Sequence, residues 1–227
     1  MSKPFLTAEW RNLALANYAV DPGLLAEHVP AGVELDQHEG KCFVSLVGFQ
    51  FLNTKVRGVA IPGHVNFVEV NLRFYVRLGE KRGVVFLKEI VPKPAIAWVA
   101  KTLYGEPYEV WKCGVVDTEY TWSRGGNRNR FAVIPASAGQ LPPSGSHAEF
   151  ITEHYWGYTR RGPHRTDEYQ VTHPQWEHYA VEEHAIEVDF GTVYGPKWAF
   201  LSAETPYSVL FARGSEIEVY PGTRLSF

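Results

Sequence analysis

The clearest chemistry in this sequence is a glutamate, an asparagine and an arginine at alternate positions, Glu69, Asn71 and Arg73. A carboxylate accepts protons or pairs with a cation. A guanidinium clamps a carboxylate or phosphate through parallel N–H groups, and an amide between the two bridges both. All three stand in residues 67–76, FVEVNLRFYV, which alternate with a period of two and predict a β-strand. One face carries Val68, Val70, Leu72, Phe74 and Val76, an apolar wall; the other carries Phe67, Glu69, Asn71, Arg73 and Tyr75. Two readings are open: a satisfied Glu–Arg pair on a wet surface, or a polar face lining a cavity. The aromatics at both ends, Phe67 and Tyr75, suit the cavity. There, Glu69, Asn71 and Arg73 point inward while Val70, Leu72 and Phe74 lie beneath an outer layer. Glu69 is the expected partner of Arg73, with Asn71 or water between them, because an unpaired buried guanidinium costs on the order of several kcal/mol.

Other sources of chemistry are thin. Nucleophile elbows, P-loops, GxGxxG and HExxH are absent. Six of the nine histidines fall in the second half, at 147, 154, 164, 173, 178 and 184. His147 and His154 can share a helix face, but no third ligand accompanies them, so no metal site is expected. Cys42 and Cys113 sit in apolar runs without a CxxC partner and read as buried free thiols. With 22 basic and 25 acidic residues the chain carries a formal charge of −3 and no basic stripe, which argues against nucleic acid. The cluster at 124–130, RGGNRNR, reads as a solvated turn. No apolar run approaches a membrane span or a signal peptide, so the expectation is a cytoplasmic protein with no membrane partner.

The elements that must position these residues read as many short strands. Residues 13–20 and 42–52 are apolar and strand-like, with Gly48 marking a bulge or bend. Asp21-Pro22 opens a short helix. Residues 84–91 return from 67–76 as a hairpin. Residues 95–104 form a helix closed by Gly105, and Ser146 with Glu149 caps another at 147–154. Residues 108–122 read as one strand, 155–159 and 168–172 as a hairpin, 177–190 as strand, and 207–212 with 216–220 as a last hairpin around Arg213-Gly214-Ser215. With no βαβ rhythm, repeat or linker across 227 residues, the expectation is one mainly β (α+β) domain, 1–227: an antiparallel barrel or sandwich with a few short helices packed on it.

Several motifs in this order resemble the YqjF-like family of uncharacterised proteins: Trp10-Arg11, DPGLL at 21–25, VPAGVELD at 29–36, FVEVNLRFYV at 67–76, GVVFL at 83–87, YGEPY at 104–108 and FITEHYWGYTRRG at 150–162. That family is similar in turn to acetoacetate decarboxylase. The resemblance implies an antiparallel β-barrel around a mostly apolar cavity, with Glu69 facing inward. The decarboxylase works through a Schiff-base lysine and a neighbouring lysine that follow a Gly-x-Pro. The corresponding segment here reads Gly105-Glu106-Pro107-Tyr108-Glu109, which implies no amine at that position. Lys101 and Lys112, close by in sequence, are expected to be solvated.

The expected function is binding of a small organic, anionic molecule in an internal cavity, without a cofactor. Glu69 would be acceptor or general base, Arg73 and Arg11 anion partners, Tyr108 a donor at the cavity floor, and Asn71 and Tyr75 further lining. If a reaction occurs, it is of lyase or hydrolase type without a Schiff base. The alternative is a non-catalytic interaction protein with a filled interior; cavity volume separates the two. A homo-oligomer is left open.

Overall fold

Alternating apolar residues make strands only where each face finds a partner, and here both faces do. The computed structural model describes residues 3–227. In chain order its strands and helices are β1 (Leu6–Val20), β2 (Glu34–Leu35), β3 (Cys42–Val56), β4 (Phe67–Leu78), β5 (Lys81–Val91), α1 (Pro94–Leu103), β6 (Tyr108–Val110), β7 (Lys112–Val116), β8 (Glu119–Arg124), β9 (Asn127–Gln140), α2 (His147–Thr152), β10 (Trp156–Gly162), β11 (Arg165–Thr172), β12 (His178–Glu187), α3 (Phe190–Tyr194), β13 (Ser208–Val219) and β14 (Thr223–Ser226). The protein is mainly β with short helices packed on the strands.

The strands join in the order β14-β11-β10-β5-β4-β3-β1-β13-β12-β9-β8-β7, and a further pairing of β11 with β13 returns the path on itself. Seven strands thereby form a closed circuit of pairings. Two apolar clusters follow. One gathers Leu13, Leu15, Phe43, Val47, Phe49, Phe51, Phe67, Val84, Val91, Tyr108 and Val171 on the inner side. The other packs Val70, Leu72, Phe74 and Val76 against Tyr120, Trp122, Phe131 and Phe190 of β8, β9 and α3. The apolar wall of β4 thus lies beneath an outer sheet layer.

Several expectations are corrected. Residues 208–219 are one strand, not a hairpin. Gly214, at φ +73°, sits against the Trp10 carbonyl inside the β1–β13 ladder rather than at a turn. Residues 108–122 break into β6, β7 and β8, because β7 turns back on β8 while β6 pairs in parallel with β5. The Asp21-Pro22 helix is two single 3₁₀ turns, Pro22–Leu24 and Ala26–His28. The bulge expected at Gly48 lies on the facing strand: the β1–β3 register slips between Arg11 and Ala14, with Asn12 at φ +56°. Gly48 instead leaves room for the ring of Tyr120, whose Cγ lies 2.7 Å from where a Cβ would stand. The Tyr120 hydroxyl donates to the Asn12 carbonyl that the bulge frees. α1 ends just before Gly105 as expected, and α2 starts at its cap, with the Ser146 hydroxyl accepting from the Glu149 amide at 3.2 Å, but α2 stops at Thr152, two residues short of the expected 154. Among the described residues no helix is long and apolar enough to cross a membrane.

Candidate functional site

The inner face of β4 opens on a cavity of about 200 Å³. Glu69, Asn71 and Arg73 line it, along with Phe49, Phe51, Phe67, Trp10 and Phe86 and the inner side of α1. Each polar side chain arrives there by strand register. Asn71 stands directly opposite Glu89 of β5, and Glu89 opposite Tyr108 of β6, so the three form a row across the sheet. The β4–β5 register then slips, leaving Leu87 as an extra residue: Leu72 faces Lys88, and Arg73 faces Phe86. That bulge reverses the alternation. Phe86 and Glu89, three apart, both face the cavity, while Lys88 turns outward to Glu109 at 2.8 Å.

Glu106 enters from the segment after α1. Gly105, at φ +71°, takes the left-handed turn that ends the helix, and Glu106 follows it inward. Its Oε1 accepts from the Thr159 hydroxyl at 2.7 Å and the Tyr169 hydroxyl at 2.9 Å. Glu69 accepts from the Asn71 amide at 3.0 Å and the Tyr108 hydroxyl at 2.8 Å. Three carboxyls, Glu69, Glu89 and Glu106, are thus 2%, 2% and 4% exposed around one cavity. Burial dominates their titration. It lifts Glu69 to about 7 against the hydrogen bonds of Asn71 and Tyr108 and the charge of Arg73. It lifts Glu106 to about 7 against Thr159 and Tyr169. Glu89 is pushed well above the usual carboxyl range by burial and then by the charges of Glu106 and Glu69. Near neutral pH the group retains protons and can donate as well as accept them.

Arg73 is not paired with Glu69. Its guanidinium donates to the Ile151 carbonyl at 3.4 Å, lies 5.7 Å from the Tyr75 ring centre, and forms no ion pair among the described residues; its buried Nε has no hydrogen-bond partner. Asn71 gives its amide to Glu69 and leaves Oδ1 unpartnered rather than bridging.

Arg11 lies outside the cavity lining. It pairs with Glu9 at 2.7 Å and donates to the Gly214 carbonyl, held by the bulged ladder of β1. Tyr75 is buried beside the site rather than in it. Its hydroxyl lies 2.7 Å from the Ser45 hydroxyl and its ring packs on His154. Tyr108 faces the cavity and Glu109 the outer side, bound to Lys88 and, at 3.1 Å, Arg124. Lys101 and Lys112 are exposed, and no lysine lines the cavity.

Glu89, Glu106, Tyr169 and His154 were not read from the sequence as site residues. His154 lines the cavity and hydrogen-bonds through Nε2 to Asp36 at 3.1 Å, leaving Nδ1 buried and unpartnered; burial lowers it to about 4, so the ring is neutral near pH 7. His147 bonds instead to the Ser208 hydroxyl at 2.8 Å, so the two helix histidines serve different places. Glu106 had a sequence signal, an acid inside a Gly-x-Pro turn after a helix. Glu89 had none, since plain alternation puts it on the face opposite Phe86.

Fold and site together define a mainly β protein with an acid-lined apolar cavity. The chain belongs to the DUF2071 family, described as an uncharacterized conserved protein, which it matches over residues 7–216. It is 32% identical over 100 residues to the uncharacterized protein YqjF of Bacillus subtilis (strain 168). That match spans 44% of this chain and 41% of YqjF, less than half the length of either. Among solved structures it is similar to acetoacetate decarboxylase from Legionella pneumophila, with TM-score 0.70 and 12% identity, over 99% of this chain and 88% of that one. It is also similar to the enduracididine biosynthesis enzyme MppR complexed with pyruvate, with TM-score 0.67 and 13% identity, over 100% of this chain and 92% of that one. At such identities the likeness is one of fold.

Proposed function

We propose that the closed circuit of strands acts as a barrel around a binding cavity, and that the cavity takes a small organic carboxylate with an apolar body. The observation that carries this reading is Arg73: a guanidinium on an apolar cavity, with Nε unpartnered and no carboxylate paired to it. A planar fork in low dielectric attracts an anion strongly. Glu69 beside it accepts or donates a proton near neutral pH. Tyr108 orients Glu69. The pyruvate of the MppR complex is a ligand of this size and charge in the same kind of fold, which supports the choice of a carboxylate. A filled interior is disfavoured by the open volume at Glu69.

Any reaction here proceeds without a Schiff base, because the YGEPY segment turns Glu106 and Tyr108 into the cavity and the lining holds no lysine. Borohydride reduction in the presence of acetoacetate is expected to leave the mass of the protein unchanged. A stable adduct lost in a single Lys→Ala variant overturns that statement. For the binding site, a thermal-shift series of short-chain carboxylates is expected to stabilise the wild type and to lose its effect in Arg73→Gln. Equal responses in both remove Arg73 from the site.

A further inference from the structure

An anion on Arg73 leaves the rest of the polar lining unanswered. Among the described residues, Trp10 Nε1 and Thr54 Oγ1 of the lining are buried without a hydrogen-bond partner on β1 and β3; so are Asn71 Oδ1, Glu89 Oε2 and His154 Nδ1, beside the donor Arg73 Nε. All six side chains line the one cavity. Asn71 and Glu89 are 1% and 2% exposed. They face each other across β4 and β5, where opposed side chains stand about 5 Å apart at Cβ. Arg73 is one same-face step further along β4, roughly 7 Å away. The Asn71 amide nitrogen faces Glu69 Oε1 at 3.0 Å, which leaves its oxygen to the cavity. Unpartnered oxygens therefore gather at one place, with the Arg73 donor a short step away. A carboxylate ligand by itself offers no donor to those oxygens.

An ammonium has three donors and no acceptor, the complement of Asn71 Oδ1 and Glu89 Oε2. We propose that the ligand is zwitterionic, an α-amino acid with an apolar side chain, its carboxylate on Arg73 and its ammonium between Asn71 and Glu89. This rests on the anion site proposed at Arg73. The side chain faces the stacked rings of Phe51 and Phe67, 4.6 Å apart, with Trp10 and Phe86 nearby in the lining, which suits an aliphatic or aromatic group.

The proposal has a proton consequence. The charged and titratable groups that share the polar end of the cavity with Glu89 are Glu69 and Arg73 from β4, Glu106 from the segment after α1, Tyr108 from β6, His154 from the segment after α2 and Tyr169 from β11. Without a cation beside it, Glu89 keeps its proton, held there by burial and by the charges of Glu106 and Glu69. An arriving ammonium turns Glu89 into a carboxylate, and that one proton leaves to solvent.

Isothermal titration calorimetry of the whole protein decides it, using phenylalanine, phenylpropanoate, which lacks the amine, and phenethylamine, which lacks the carboxylate. Phenylalanine is expected to bind roughly tenfold or more tighter than phenylpropanoate, the effect of one charge-assisted hydrogen-bonded contact. Its heat is expected to vary with the ionisation enthalpy of the buffer, showing proton release, while that of phenylpropanoate does not. Glu89→Gln, close to isosteric, is expected to keep phenylpropanoate binding and to lose the advantage of phenylalanine. Phenylalanine binding no tighter than phenylpropanoate, an advantage that persists in Glu89→Gln, or binding without proton release overturns the zwitterion and leaves the anion site standing. Binding of phenethylamine alone overturns the anion site and the zwitterion together, as does no binding by any of the three. If Glu89→Gln does not fold, the affinity ratio and proton release of the wild type decide.

Discussion

At the scale of single residues, the cavity is costly to ionise. Glu69 and Glu106 each titrate near 7 because burial disfavours the charged form, against about 4.5 in a solvated chain. The folded state therefore binds more protons than the unfolded state between those two values. Stability is full below about 4.5 and is lost as pH rises towards 7, after which it levels; one such carboxyl is linked to at most about 3 kcal/mol. Glu106→Gln keeps an oxygen for Thr159 and Tyr169 and has nothing to ionise. Denaturant titrations at pH 5 and pH 8 are expected to show a smaller loss in this variant than in wild type, leaving it the more stable protein at pH 8. An unchanged pH slope places the proton elsewhere. Asp36 behaves oppositely: burial opposes its ionisation, but hydrogen bonds from His154 and Arg82 outweigh it and hold the carboxyl below its usual range. Its contribution is present above about 4 and lost in acid, a separate window.

At the scale of elements, two bulges place the chemistry. The bulge at Leu87 brings Glu89 inward. The bulge at Asn12 frees a carbonyl for Tyr120 and ties the outer sheet to β1. The second device depends on Gly48, because the Tyr120 ring lies where a Cβ would stand. Gly48→Ala is expected to cost about 1–3 kcal/mol in denaturant unfolding, the usual effect of overfilling a packed site. Gly214→Ala is expected to cost more, since a Cβ there meets the Trp10 carbonyl at 2.0 Å and the backbone is in the left-handed region at φ +73°. If Gly214→Ala proves the milder of the two, the β1–β13 ladder yields more readily than the core does.

At the scale of the whole molecule, the circuit is unevenly joined. β1 pairs with β3 along nearly its full length, whereas β10 meets β5 only at Trp156–Gly83 and Gly157–Val84, and β11 meets β13 only at Val171–Val219 and Thr172–Glu218. The β10–β11 hairpin carries Tyr169 and Thr159, the partners of Glu106. The hairpin also supplies Trp156, Gly157 and Val171 to the cavity lining, so its opening is expected to expose the cavity. Hydrogen exchange is expected to reach the amides of 156–172 before those of 42–52, and a bound carboxylate is expected to slow the hairpin more than the β1–β3 ladder. Exchange in the reverse order shows that the weak joins do not govern opening.

The sequence by itself determined that the chain is mainly strand, which face of 67–76 is apolar, the capped start of α2 and the glycine that follows α1, and which family the chain belongs to. Those properties are local: side-chain alternation, capping hydroxyls and ordered short motifs are set within a few residues of one another. The continuity of β13, the break between β6 and β7 and the inward turn of Glu89 were decided only by the tertiary structure. Each depends on how many residues the neighbouring strand supplies, and one extra residue reverses every later side chain. Arg73 shows the same division. Its place on the inner face was written in the alternation of β4, but its lack of a carboxylate partner followed from Glu69 being taken by Asn71 and Tyr108, the latter from a strand that arrives 39 residues later in the chain.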